Sequence, residues 1–69
     1  MGVPKRLTEM QQRFAEFLVF GGPDGPMTQT EAATAAGYSP KRARQEGSEL
    51  SNPKQSPLVV KYIGQLREE

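Results

Sequence analysis

Residues 29–50, QTEAATAAGYSPKRARQEGSEL, constrain the fold more than any other stretch of the chain. They read as a short alanine-rich helix, a glycine-closed turn, and a second helix opening with Lys41, Arg42 and Arg44. Ala33 precedes Gly37 by four residues, and Ala43 follows six residues after it. A small residue lets two helices cross closely, glycine takes the left-handed conformation in the turn, and a small apolar residue faces inward from the second helix. This is the frame of a helix-turn-helix. It leaves positive charge on the side turned away from the helix contact.

The flanking segments supply two more helices. Thr8 with Gln11 three residues on has the form of a capping box, and Leu7 is placed to staple onto the first turns. Met10, Phe14, Phe17 and Leu18 then form one apolar face, and Gly21, Gly22 and Pro23 end the helix near Phe20. Pro23-Asp24-Gly25 is a turn signature, and the glycines around it are no phosphate loop, because no Gly-Lys-Ser/Thr follows and no strand precedes. Thr28 and Glu31 repeat the capping pattern before the alanine helix, whose four alanines suit the close approach of another backbone. Tyr38 follows the turn glycine and is expected to fold into the core with its hydroxyl near the surface. Ser39 caps the third helix with Pro40 at its first position, and Ala43, Gly47 and Leu50 form its inward stripe. Ser56 and Pro57 start a fourth helix over residues 57–67, with Val59, Tyr62, Ile63 and Leu66 as its apolar stripe. No run alternates with period two, so the sequence predicts an all-α fold: one small helix-turn-helix domain of about four helices spanning residues 1–69. Residues 1–6 read as a flexible basic arm.

The inventory of side chains excludes much chemistry. The 69 residues hold no Cys and no His, which removes thiolate and imidazole ligands and the commonest general base. The carboxylates fall on predicted solvent faces or a loop, so catalytic residues, metal ligands and cofactors are all expected to be none. Glu46 and Glu49 share a helix face with ordinary surface spacing. No apolar run approaches the length of a membrane span, and the N-terminus lacks the apolar core of a signal peptide, so the expectation is a soluble intracellular protein.

Net charge is only +1, but residues 37–67 carry six basic residues against two acidic ones. Such segregation gives a local positive patch on a nearly neutral molecule. The first turns of a recognition helix face the major groove, where Arg or Lys pairs with guanine edges and Gln with adenine. Lys41, Arg42, Arg44 and Gln45 have that chemistry and are the candidates for groove contact; Ser39, Ser48, Lys5 and Arg6 are the candidates for phosphate contact. Three cations at a helix N-terminus oppose the helix dipole, a penalty that an approaching phosphate backbone relieves. The plainer reading is a solvated basic face without a partner. The helix-turn-helix frame favours double-stranded DNA as the partner.

Beyond the frame, the motifs resemble a family. Leu7-Thr8 with Gln11, the alanines of residues 32–36, Gly37-Tyr38-Ser39, the basic residues 42–44, Gly47-Ser48-Glu49-Leu50 and Asn52-Pro53 are similar to the N-terminal domain of the small subunit of double-stranded DNA bacteriophage terminases. The loop at residues 21–27 and the segment Gln55-Ser56-Pro57 look longer than the family pattern. The resemblance implies a non-enzymatic subunit that binds viral DNA at a packaging site and works with the terminase large subunit, in the cytoplasm of an infected or lysogenic bacterial host. It also implies ring assembly through a region after this domain, so a homo-oligomer is expected where a longer chain supplies that region. Two other readings use the same residues: a transcriptional regulator, and a protein-interaction module docking through helix four or the Phe14/Phe17 face.

Overall fold

Each helix begins and ends where local chemistry allows. The computed structural model describes residues 7–68, so the basic arm with Lys5 and Arg6 lies outside the described residues. Four helices follow in order: α1 (Glu9–Phe20), α2 (Gln29–Ala36), α3 (Pro40–Leu50) and α4 (Pro57–Glu68). Among the described residues there is no strand.

Both threonine caps form as reciprocal boxes. The Gln11 N–H donates to Thr8 Oγ1 at 3.1 Å while the Thr8 N–H donates to Gln11 Oε1 at 3.0 Å. Glu31 and Thr28 repeat this at 3.1 and 2.9 Å. Each box satisfies two backbone donors that a helix start otherwise leaves without partners. α1 ends when the Gly21 N–H donates to the Phe17 carbonyl, and residues 22–25 close on themselves through reciprocal Gly22–Gly25 backbone bonds of 2.8 and 3.1 Å. Pro23 and Asp24 form the tip of that turn.

At the end of α2, Gly37 has φ 116°, in the left-handed region where a side chain would be strained. Its N–H donates to the Thr34 carbonyl, and the Tyr38 N–H reaches back to the Ala33 carbonyl, both at 3.1 Å. This paired closure satisfies carbonyls at the helix end and turns the chain directly into α3. Ser39 does sit at the N-cap of α3 in an extended conformation, with Pro40 beside it, but its side chain makes no cap hydrogen bond. The expected side-chain cap is therefore absent. The Arg42 N–H that such a cap would bind donates instead to the Ser39 backbone carbonyl at 3.0 Å, and the Arg42 side chain offers no acceptor for the Ser39 N–H, so no capping box forms.

The core runs from α1 in two directions. α1 packs against α2 on one side and α4 on the other, and α2 carries α3. Leu7, Phe14, Ala15, Ala32, Ala33, Ala36, Ala43, Leu50, Val59, Tyr62 and Ile63 are buried together, and Phe14 and Val59 are the largest side chains fully enclosed. Phe17, Leu18, Tyr38 and Leu66 pack against this cluster while partly buried. The Phe14 face and the Val59, Tyr62 and Ile63 stripe of α4 are thus occupied by the protein's own core. Among the described residues Phe20 is the large apolar residue left outside, 65% exposed; one such side chain is ordinary on a protein surface. No helix of the described residues is long and apolar enough to cross a membrane.

Gly47 sets the closeness of α2 and α3. A Cβ built on it falls 2.8 Å from the Gln29 carbonyl oxygen and 3.0 Å from its carbonyl carbon. Contacts that short do not occur with a real side chain, so glycine here lets the middle of α3 rest on the first residue of α2. The contact presses the inner face of α3 onto the protein and leaves its opposite face outward.

A polar tie joins the outer helices. The Tyr62 hydroxyl on α4 donates to Glu16 Oε2 on α1 at 3.0 Å. Burial, then the hydrogen bond and charge of Glu16, push the Tyr62 pKa above its ordinary value of 10.0. The folded state thus keeps the Tyr62 proton to higher pH than the unfolded state does. The tie stabilises the fold fully below pH about 10, and that contribution is lost as pH rises through the folded pKa. Tyr62→Phe is expected to cost about 1 kcal/mol at neutral pH. Urea unfolding of both proteins at neutral pH and above pH 10 checks this: the gap between them should close in alkali, and a constant gap would contradict the assignment.

Candidate nucleic-acid interface

α3 is the element on which most sequence candidates converge, and its rotation decides which of them act together. At about 100° per residue, Ala43, Gly47 and Leu50 share one face, all of it buried. The opposite face holds Lys41, Gln45 and Ser48, and the spacing of four, three and four carries the row on to Asn52 beyond the helix end. Arg44 lies on one flank of this row. Lys41, Arg44, Gln45 and Ser48 are exposed, and with Glu49, Asn52 and Gln55 they line one open groove of about 570 Å³. The floor is the helix itself.

Arg42 stands apart. It lies on the other flank and does not line the groove. Its Nη2 pairs with Glu46 Oε2 at 3.0 Å, where the Arg42 side chain is 72% exposed and Glu46 only 17%. An exposed pair one helical turn apart contributes about 0.3–0.5 kcal/mol. The same carboxylate faces Tyr38: burial raises the phenol pKa above its ordinary value, and the negative charge of Glu46 raises it further. Arg42, Glu46 and Tyr38 thus form a small cluster at the edge of α3, with the arginine cation already compensated.

The other candidates divide plainly. Ser39 is exposed, with its side chain making no cap bond, and it does not line the groove. Ser48 does line it. Asn52 and Gln55 belong to the groove although neither is among the contact candidates of the sequence; the four-three-four row through Lys41, Gln45 and Ser48 is the available signal for Asn52. That residue also shapes the loop before α4, because its Oδ1 accepts from the Lys54 N–H at 2.9 Å while its carbonyl accepts from Gln55 and Ser56.

Inside the groove two cations, Lys41 and Arg44, face one carboxylate, Glu49. That carboxylate is partly satisfied by Gln45, whose Nε2 donates to Glu49 Oε2 at 3.0 Å. The face therefore presents point charge at its edges and a hydrogen-bonding amide along its middle. Among the described residues no group of three or more His, Cys, Asp or Glu is arranged to hold a metal ion. Compared with protein families, curated proteins and solved structures, the chain finds no match.

Proposed function

We propose that this chain binds duplex DNA by laying the outer face of α3 in the major groove, and that it serves as the recognition module of a phage terminase small subunit. The observation that carries the reading is the gathering of Lys41, Arg44, Gln45 and Ser48 on one exposed face of a helix whose opposite face is buried. An α-helix with its side chains is about 10–12 Å across and the major groove about 12 Å wide, so such a helix enters it edge-on. Lys41 and Arg44 reach phosphates or guanine edges, and Gln45 and Ser48 offer neutral hydrogen bonds between them.

Support for the narrower reading comes from the resemblance of the motifs to those of terminase small subunits. Four of their residues have a physical task in this fold. Gly37 adopts the left-handed turn, Gly47 accepts the backbone of α2, Leu50 is buried, and Asn52 holds the loop before α4. In this role the module marks viral DNA for packaging in the cytoplasm of a bacterial host and acts with the terminase large subunit, which supplies the enzymatic steps. The longest dimension of the domain, 31 Å, is close to one turn of duplex, so one copy meets few phosphates and binds weakly unless several act together.

Backbone NMR of the labelled protein, titrated with a short duplex at low salt, tests the contact surface. The largest amide shift changes are expected at residues 41–48 and 52–55, with little change on the outward face of α4. Changes confined to α1 and α4, or none at low salt, would overturn the reading.

A further inference from the structure

Gln45 and Glu49 form a hydrogen-bonded couple that the binding of phosphates does not require. The amide sits in the middle of the outer row of α3, and its Nε2 donates to Glu49 Oε2 at 3.0 Å. Lys41 and Arg44 line the same groove and already supply its positive charge. A carboxylate there opposes the approach of a phosphate backbone. Its presence on this face therefore asks for a different task.

The geometry points to base reading. A primary amide has two N–H donors and one carbonyl acceptor. The bond to Glu49 uses one donor and fixes which way the amide turns. One N–H and Oε1 are left, the complement of the N7 acceptor and N6 donor that adenine shows in the major groove. We propose that Gln45 reads an adenine and that Glu49 is the residue that positions it; the proposal rests on α3 binding duplex DNA. Arg42 and Glu46 have the same one-turn spacing, but that pair lies on the flank, outside the groove. Only the Gln45–Glu49 pair lines the groove itself.

The two residues have separable effects. Removing Gln45 deletes the reader. Removing Glu49 frees the amide to rotate and also removes a negative charge from a face that meets phosphates, so base preference falls while general affinity rises. Glu49→Gln keeps an acceptor for Gln45 without the charge, so preference is retained as affinity rises. A merely structural role for Glu49 gives no such opposition of signs.

The test is selection of duplexes with a randomised central segment on the immobilised protein, followed by sequencing and measurement of the total duplex retained. The unsubstituted protein should enrich an A·T pair at one position by about 5- to 150-fold, the discrimination expected of one good bidentate contact. Gln45→Ala should lose that enrichment. Glu49→Ala should weaken it while retaining more total duplex, and Glu49→Gln should preserve it. Gln45 is exposed and Glu49 partly exposed, and circular dichroism of each of the three variants checks that the fold is kept. The same adenine preference in Gln45→Ala, or retention without base preference in the unsubstituted protein, overturns the inference and leaves DNA binding standing. No duplex retained even at low salt overturns both.

Discussion

Replacing Gly47 with alanine is expected to destabilise the protein by about 1–3 kcal/mol, although alanine is the better helix former by about 1 kcal/mol. The added methyl group would sit 2.8 Å from the Gln29 carbonyl oxygen, a backbone atom that cannot rotate away like the end of a side chain. α3 must lift from α2, and Ala43 and Leu50, buried on the same inner face, lose contact with it. A domain of this size holds only about 3–5 kcal/mol of core stability, so the loss is a large share of the whole. Gly64 provides the matched control. It lies within α4, and a Cβ built there meets nothing within 4 Å. Gly64→Ala should therefore stabilise by about 0.5–1 kcal/mol. Urea unfolding followed by circular dichroism compares the two. Midpoints moving in opposite directions are expected; a stabilising Gly47→Ala would mean that α2 and α3 do not touch as described.

The legible parts of this fold are those whose causes lie close together in the chain. Thr8 with Gln11 and Thr28 with Glu31 announce helix starts because both partners of each box sit within one turn. Gly37 announces the turn because its conformation is a property of the residue itself. Periodicity likewise gave the buried stripes of α3 and α4. What periodicity does not give is the partner across the core. Glu16 looks like a solvent-facing carboxylate until α4 brings the Tyr62 hydroxyl, 46 residues away in the chain, to its oxygen. Gly47 reads as one more small inward residue, whereas its particular task is to admit the backbone of Gln29.

The candidate interface was legible in its location and blurred in its membership. A run of basic residues marks α3, but neighbours in sequence diverge by about 100° around a helix. Arg42 therefore leaves the face that Lys41 and Arg44 share, and the glutamate four residues on takes it up. That spacing was present in the sequence and is what separates the three cations. The position of Ser39 at the cap is legible from Pro40 beside it, but the side-chain bond is not made. Asn52 continues the four-three-four row of α3, whereas Gln55 joins the groove because the loop after α3 turns back through its bonds to Asn52, which no periodicity within the helix conveys.

Removing Lys41 and Arg44 together is expected to weaken duplex binding far more than removing Arg42. A hydrogen bond to a charged group is worth about 1.5–3 kcal/mol, so each lost groove cation should cost roughly tenfold or more in affinity. Each phosphate contact also releases bound counterions, so its loss flattens the dependence of log K on log salt by about one. Arg42→Ala breaks an exposed pair with Glu46 and removes no groove residue, so both affinity and slope should stay near those of the unsubstituted protein. The direct measurement is a fluorescence-anisotropy titration of labelled duplex DNA at low and moderate salt, with the unsubstituted protein, Arg42→Ala and the Lys41→Ala, Arg44→Ala double variant. The expected result is salt-dependent binding that survives in Arg42→Ala and collapses in the double variant with a flatter slope. Binding by the unsubstituted protein that does not respond to salt, or a double variant that binds as well as Arg42→Ala, would contradict the proposal that α3 is the DNA-binding face.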